Sequence, residues 1–304
     1  MAVRIERVTF PGSQGTDLAA RLDLPAGPAR AFALFAHCFT CSKDISAASR
    51  IANALTDVGF GVLRFDFTGL GMSGGEFENT NFTSNTDDLV AAVDWLRSEH
   101  RAPQLLVGHS LGGFLSVMAA ARHPELARGV LLLDAPLLGG WRATTLGVIK
   151  TTQMVGAVSP GAVSRRRRNT WPSAAAALEH FQHKKAFAHW DPQVLQDYIE
   201  HGTHDDTQGQ RVLSFDRDIE TAIYNTLPDN LDRLLKRHPL KCPVAFIGGL
   251  YSREMKQVGM AMTGQLTRGR IAMVDGSHLF PMEKPQATAA AIEAALLNLQ
   301  GAQL

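Results

Sequence analysis

Short apolar runs alternate with longer helical patterns along this chain, and that alternation constrains the fold more than any other feature. Runs of this kind, bounded by glycine, proline or polar residues, suit strands that are buried on both faces of a parallel sheet. The runs occupy residues 31–36, 61–67, 104–107, 129–133, 243–247 and 270–274. Helical patterns lie between or after them, at residues 46–58, 85–98, 112–123, 254–266 and 285–299. The sequence therefore predicts an α/β fold with right-handed strand–helix–strand units and helices on both faces of a mostly parallel sheet.

Two segments stand outside this alternation. Residues 3–24 are predicted to form an antiparallel hairpin at one edge of the sheet. Residues 138–240 have helical composition and no convincing buried strand, and many of the aromatic residues are concentrated there. We interpret this segment as a helical cap inserted into a core formed by residues 1–137 and 241–304, and most of its aromatic side chains as the core of the cap itself.

The sequence GHSLGG at residues 108–113 follows an apolar run and begins a helical stretch. This is a G-x-S-x-G motif in the strand–turn–helix context that its chemistry requires. The tight turn exposes the serine oxygen, and the start of the following helix favours developing negative charge. Ser110 is therefore the predicted nucleophile. The alternative, a glycine-rich helix start with a capping serine, does not explain the strand that precedes it.

A serine nucleophile needs a general base within hydrogen-bonding reach. His278 lies in GSHLFP, between the last apolar run and the last helical pattern, and is the predicted base among the 11 histidines of the chain. The negative charge of the reaction intermediate needs two backbone N–H donors. One is assigned to Leu111, which follows the nucleophile, and the other to Phe39 in the His37-Cys38-Phe39 loop.

A third group should hold the imidazole in the correct tautomer, and the sequence offers two carboxylates for this role. Asp134 ends an apolar run, where a carboxylate is costly unless it is paired. Glu254 follows the penultimate run, but Ser252 could cap a helix there and leave Glu254 pointing to solvent. We favour Asp134 and keep Glu254 as the alternative. Asp66, in FDFTGLG, is interpreted as a residue that ties down its own turn.

The amino-acid composition limits the classes of binding partner that are expected. Lys and Arg number 30 against 29 Asp and Glu, so neither nucleic acid nor a membrane surface is an expected partner. Three cysteines without a regular framework argue against a disulfide scaffold, and Cys38 and Cys41 are interpreted as small residues in a turn. No signal segment or long apolar run is visible, and a cytoplasmic location is expected. We expect no metal and no cofactor.

Three motifs resemble those of the α/β-hydrolase superfamily: FDFTGLGMSGGEF, GHSLGG and GSHLFPMEKP. This resemblance implies an eight-stranded sheet, a cap and a Ser–His–acid triad. The segment from HCFTCSKD to GHSLGG is also similar to the hydrolase part of bacterial proteins that fuse such a domain to an OsmC-type peroxidase domain. We expect no OsmC domain in this chain, because the sequence ends before one, so the resemblance carries no peroxidase function.

The sequence predicts a serine hydrolase that cleaves carboxylic esters through a covalent acyl-enzyme. The expected substrate is a small ester-like molecule with an apolar group. The same machinery would serve a thioesterase, an amidase or a hydrolase of carbon–carbon bonds, and a non-catalytic ligand-binding protein on the same fold is a further alternative. Halide or epoxide displacement is disfavoured, because relatives with that chemistry use Asp where this chain has Ser110.

Overall fold

The computed structural model describes residues 4–38, 42–139, 164–225 and 231–301, without the side chains of 223–225, 300 and 301. Its main feature is an eight-stranded sheet with the strand order β1-β2-β4-β3-β5-β6-β10-β11. The strands are β1 (Arg4–Pro11), β2 (Asp17–Leu24), β3 (Ala31–Ala36), β4 (Phe60–Phe65), β5 (Leu105–His109), β6 (Gly129–Leu133), β10 (Val244–Gly249) and β11 (Ile271–Val274). The predicted α/β fold with a mostly parallel eight-stranded sheet is confirmed.

Strand direction follows the predicted pattern. β1 and β2 form an antiparallel hairpin, and β2 pairs antiparallel with β4. The other strand pairs are parallel, from β4–β3 through β5 and β6 to β10–β11. All residues of β3, β4, β5, β6 and β10 are buried, which explains why these strands are continuous apolar runs in the sequence.

Helices cover both faces of the sheet. On one face, α2 (Phe82–Glu99) and α3 (Leu111–Arg122) pack on residues such as Leu63, Leu106 and Leu132. On the other face, α1 (Ser46–Asp57) and α11 (Pro285–Gly301) pack on residues such as Val62, Val107 and Leu131. Alternate residues of one strand therefore belong to two hydrophobic cores, and the sheet separates them.

The segment between β6 and β10 contains more strand than the sequence suggests. Its described part forms a three-stranded antiparallel sheet of β7 (Thr170–Trp171), β9 (Arg211–Leu213) and β8 (Thr203–Asp205). The sequence shows no convincing buried strand in this segment, because strands of two or three residues leave no apolar run to detect. The helices described there are α4 (Ala174–Gln182), α5 (Pro192–Gly202), α6 (Arg217–Asn225) and α7 (Leu231–Arg237).

Aromatic side chains form the core of this inserted segment. Trp171, Phe181, Trp190 and Tyr198 are buried, and Phe187 packs among them. The Phe187 ring centroid lies 4.6 Å from that of Trp190 and 4.8 Å from that of Phe181. These rings contact one another inside the segment, so they cannot serve as evidence for an aromatic-lined substrate pocket.

The helix predicted over residues 254–266 is interrupted. The structure has α8 (Arg253–Val258) and α9 (Ala261–Thr267), with Gly259 between them at φ +80°. Glycine reaches this left-handed region without steric cost, so the chain can leave one helix and begin another there. The last two helices are α10 (Phe280–Glu283) and the long α11. Among the described residues, no helix is long and apolar enough to cross a membrane.

Candidate active site

Ser110 lies in the tight turn between β5 and α3, with φ +52° and ψ −117°. A non-glycine residue rarely adopts such a backbone, and the glycines around it show what the turn requires. A Cβ on Gly108 would lie 2.3 Å from the backbone nitrogen of Gly113, and a Cβ on Gly112 would lie 2.2 Å from the carbonyl oxygen of Ala36. The motif therefore brings helix and strand so close that only glycine fits at these positions.

His278 faces Ser110. Its Nε2 lies 3.0 Å from Ser110 Oγ, although the two residues are 168 positions apart in sequence. His278 lies on the loop between β11 and α10, and the loop is held by neighbouring backbone and side chains. Tyr251 donates its N–H to the Gly276 carbonyl at 3.0 Å, and Ser277 donates its N–H to Glu283 at 3.0 Å. The imidazole is therefore held at a fixed place beside the serine.

Asp134 is the carboxylate that contacts the imidazole. Its Oδ1 lies 2.9 Å from His278 Nδ1 and accepts the Ser252 hydroxyl at 2.7 Å, while its Oδ2 accepts the Gly249 N–H at 2.7 Å. Burial by itself would raise the pKa of Asp134, but the hydrogen bonds from His278, Gly249 and Ser252 lower it below its usual value. The buried carboxylate is therefore ionised at neutral pH and holds the proton of His278 on Nδ1.

Glu254 lies close to this group but has Ser252 as its neighbour. Its Oε2 is 3.4 Å from Ser252 Oγ, and Ser252 caps α8 by accepting the Met255 N–H at 3.2 Å. Glu254, Asp134 and His278 are the one set of possible metal ligands found among the described residues, with their atoms within 4.8 Å of one another. In this arrangement, however, His278 Nδ1 and Asp134 Oδ1 are already joined by a hydrogen bond, which occupies both atoms.

The two predicted backbone N–H donors are Leu111 and Phe39. Leu111 is the first residue of α3, where a backbone N–H has no acceptor within the helix. Phe39 lies outside the described residues. Cys38, just before it, is disulfide-bonded, a link that the interpretation of Cys38 and Cys41 as small residues in a turn did not include. Cys41 also lies outside the described residues, and Cys242 is a half-buried free thiol.

His109 is a further residue of the site, and no pattern in the sequence indicates its role. Its Nε2 lies 3.0 Å from the backbone oxygen of His278, and the two rings lie 5.2 Å apart. Burial, with the nearby charge of His278, lowers the pKa of His109 to about 4. The neutral imidazole therefore donates its Nε2 proton to the His278 carbonyl and joins the turn of Ser110 to the loop of His278.

The neutral state of His109 predicts a pH effect on stability. In the unfolded chain a histidine takes up its proton near pH 6.5, whereas folded His109 does so only near pH 4. Stability is therefore lost as the pH falls from about 6.5 through 4, by roughly 3 kcal/mol in the free energy of unfolding. Urea unfolding at several pH values should show that, between about pH 6.5 and 4, the unfolding free energy of wild type falls by roughly 3 kcal/mol more than that of His109→Gln.

The exposed His238→Gln is the matched control for this measurement. Its unfolding free energy should follow the same pH curve as wild type. Parallel curves for wild type and His109→Gln would contradict a buried neutral imidazole at residue 109.

Comparison with known proteins identifies the family of this chain. A model of the family described as "Alpha/beta hydrolase family" matches residues 33–291. The chain belongs to the alpha/beta hydrolase family. Human mitochondrial palmitoyl-protein thioesterase ABHD10 is 38% identical over 68 residues, which are 22% of this chain and 21% of that protein. Rat monoglyceride lipase is 28% identical over 140 residues, 45% of this chain and 46% of the lipase. The matches thus span from a fifth to about half of these relatives.

Solved structures of the family have the same fold along nearly the whole chain. E-2-(acetamidomethylene)succinate hydrolase has a TM-score of 0.70 at 21% identity and covers 96% of this chain and 99% of its own. The Mycobacterium tuberculosis esterase Rv0045c has a TM-score of 0.68 at 21% identity, with 97% and 92% covered. At this identity the likeness shows the shared hydrolase fold alone.

Proposed function

We propose that this protein is a serine hydrolase that cleaves carboxylic esters through a covalent acyl-enzyme. One observation carries the proposal: Ser110 Oγ lies 3.0 Å from His278 Nε2, and His278 Nδ1 lies 2.9 Å from Asp134. A hydroxyl, an imidazole and a buried carboxylate in this order are what serine-based acyl transfer needs. Family membership and the lipases and esterases among the similar proteins support the same reaction class.

Acylation begins when Ser110 Oγ attacks the ester carbonyl carbon and its proton passes to His278 Nε2. The imidazolium that forms is stabilised by ionised Asp134, which stays ionised throughout. When the tetrahedral intermediate collapses, the bond to the alcohol oxygen breaks, and the alcohol leaves with the proton from His278. The acyl group remains on Ser110 as an ester.

Deacylation repeats these steps with water. His278 Nε2 takes a proton from water as the oxygen attacks the acyl carbon, and the second tetrahedral intermediate breaks at the Ser110 oxygen. The proton returns to Ser110, and the carboxylic acid is released. In both intermediates the negative oxygen would accept hydrogen bonds from the backbone N–H groups of Leu111 and Phe39. The N-terminus of α3 adds favourable potential there.

We further propose a small ester with an apolar group as the substrate. The support is the similarity to rat monoglyceride lipase. The aromatic rings of the insertion do not support it, because they are buried against one another. Residues 138–240 are proposed to act as a cap over the site. Within them, Asp191 at the start of α5 pairs with Arg50 of α1 at 2.7 Å and donates its N–H to the Met282 carbonyl at 3.0 Å.

Thioester hydrolysis is the second candidate, favoured by the 38% identity with a human palmitoyl-protein thioesterase over 68 residues. The two activities are separated by comparing an oxygen ester and a thioester with the same butyryl group. The proposal expects a higher kcat/KM for p-nitrophenyl butyrate than for S-butyryl-N-acetylcysteamine. The opposite order would identify the protein as a thioesterase with the same active-site residues.

A fluorophosphonate probe tests the nucleophile. Wild type is expected to become labelled as Ser110 Oγ attacks phosphorus and fluoride leaves, and Ser110→Ala is expected to remain unlabelled. The control is Ser116→Ala in the same helix, because Ser116 Oγ only donates to the Gly112 carbonyl at 2.7 Å. It should be labelled like wild type.

Other outcomes of the labelling are equally informative. An unlabelled wild type would contradict the proposal and favour a ligand-binding protein on this fold. A labelled protein that hydrolyses neither butyryl compound would point to the amidase or carbon–carbon hydrolase alternatives.

A further inference from the structure

The eight-stranded sheet has two edges, and they differ in how they are protected. β1 forms one edge, and its sequence RIERVTFP carries three charged residues and ends in proline. Charged side chains and proline are common means of preventing an edge strand from pairing with another chain. β11 forms the other edge, and its sequence IAMV contains neither. The edge at β11 is therefore the one that is open to further pairing.

Exposed apolar side chains are concentrated at this edge. Seven large apolar residues are exposed among those that the structure describes, and four of them lie on β11 or directly after β10: Leu250, Tyr251, Ile271 and Met273. The segment after β10 adjoins the end of β11, because Leu250 donates its N–H to the Val274 carbonyl at 2.9 Å. A cluster of exposed apolar side chains is typical of an interaction surface.

The backbone of β11 offers hydrogen-bonding groups along its outer side. The carbonyls of Arg270 and Val274 accept hydrogen bonds from N–H groups in and just after β10, each at 2.9 Å. Because backbone groups alternate in direction along a strand, the odd-numbered residues from 271 to 275 turn theirs outward. The Ile271 N–H donates locally to the Gly269 carbonyl at 2.8 Å. Four outward groups remain, which are the carbonyls of Ile271 and Met273 and the N–H groups of Met273 and Asp275.

A second copy of the same strand matches these four groups. In an antiparallel pair with a two-fold axis at Met273, each Met273 N–H faces the Met273 carbonyl of the other copy, and each Asp275 N–H faces the other Ile271 carbonyl. Every remaining group then has a partner. The same register brings Arg270, at the start of one strand, close to the exposed Asp275 at the end of the other, so opposite charges meet at both ends.

We propose that β11 is a dimer interface at which two copies of this chain pair antiparallel about Met273 and join their sheets into one. The second copy is the occupant because the strand is complementary to itself in hydrogen bonds, in apolar side chains and in charge. A two-fold contact of this kind uses the edge of each copy once, so the assembly stops at the dimer and does not continue into a fibre.

Cysteine cross-linking tests both the interface and its register. With Met273→Cys, the two introduced thiols would face each other with Cα atoms about 5.5 Å apart, which a disulfide can bridge. With Ile271→Cys on the same strand, the two Cα atoms would lie about 13 Å apart, which is too far. Ile5→Cys places an exposed thiol on the opposite edge strand. After mild oxidation, non-reducing electrophoresis should show a covalent dimer for Met273→Cys and not for Ile271→Cys, Ile5→Cys or wild type.

Sedimentation equilibrium tests the dimer without a covalent link. Wild type is expected to be mostly dimeric at about 0.1 mM, with a Kd of about 10 µM or tighter. Met273→Lys sets two ammonium groups against each other across the axis and should raise the Kd at least about 10-fold. The matched control is Ile5→Lys, since Ile5 is 47% and Met273 41% exposed on the two edge strands, and its Kd should equal that of wild type.

Three results would each overturn the inference. They are a wild type that is monomeric at about 0.1 mM, cross-linking of Ile271→Cys as efficient as that of Met273→Cys, and a dimer that Met273→Lys leaves intact. The Tm of each lysine variant confirms that it is folded, so that loss of the dimer reports on the interface.

Discussion

Asp134→Asn is expected to lower kcat for p-nitrophenyl butyrate by about 10⁴-fold while the protein remains folded. Oδ1 faces the donors of His278 and Ser252, and Oδ2 faces the Gly249 N–H. An amide must place its NH₂ group against one of these donors. With the NH₂ toward His278, the ring would carry its proton on Nε2, and Nε2 could no longer take the proton of Ser110.

Glu254→Gln is the matched control, since Glu254 is a half-buried carboxylate of the same cluster that lacks a direct bond to the imidazole. Its kcat is expected to stay within about threefold of wild type, because Asp134 still holds the Nδ1 proton. Thermal unfolding of both variants separates a catalytic effect from a folding defect. A large loss in Glu254→Gln with Asp134→Asn active would assign the acid to Glu254.

Gly112→Ala is expected to destabilise the protein by about 3 kcal/mol and to abolish fluorophosphonate labelling of the fraction that folds. The new Cβ would lie 2.2 Å from the Ala36 carbonyl oxygen and 2.7 Å from that of His37. Both contacts are backbone and cannot rotate away, so α3 must move from the end of β3. That movement separates Leu111 from the loop that follows β3, and thus the two proposed oxyanion donors from each other.

Gly264→Ala makes the same substitution where there is room. Gly264 lies inside α9, and a Cβ there would meet nothing within 4 Å. Alanine is the better helix former by about 1 kcal/mol, so this variant should be more stable than wild type and label normally. Chemical denaturation of both variants gives the comparison. Equal stability changes of the same sign would contradict the close approach at the Ser110 turn.

The sheet was predictable because its parallel strands are buried on both faces. That burial demands unbroken apolar residues, which a single sequence displays directly. The short strands of the insertion were missed because β7, β8 and β9 have two or three residues each, which is too few to form an apolar run. The break at Gly259 was missed because one glycine within a helical pattern does not reveal whether it adopts a left-handed φ.

The choice between Asp134 and Glu254 as the partner of His278 could not be made from the sequence alone. Asp134 follows β6 and Glu254 follows β10, and these strands are neighbours in the sheet. Both residues therefore reach the same edge near His278, and the local patterns favour Asp134 without excluding Glu254. The structure distinguishes them by their contacts: Asp134 Oδ1 lies 2.9 Å from His278 Nδ1, whereas Glu254 Oε2 has Ser252 Oγ as its neighbour at 3.4 Å.

The sequence by itself determined the alternating architecture, the G-x-S-x-G turn and the position of His278 after the last strand, because each depends on local burial or on residues adjacent in the chain. Only the tertiary structure decided that Asp134 meets His278 and that His109 joins two loops. These contacts link residues far apart in sequence, such as 144 positions for His278 and Asp134. Their partners are chosen by how the strands pair and helices pack, which no single segment encodes.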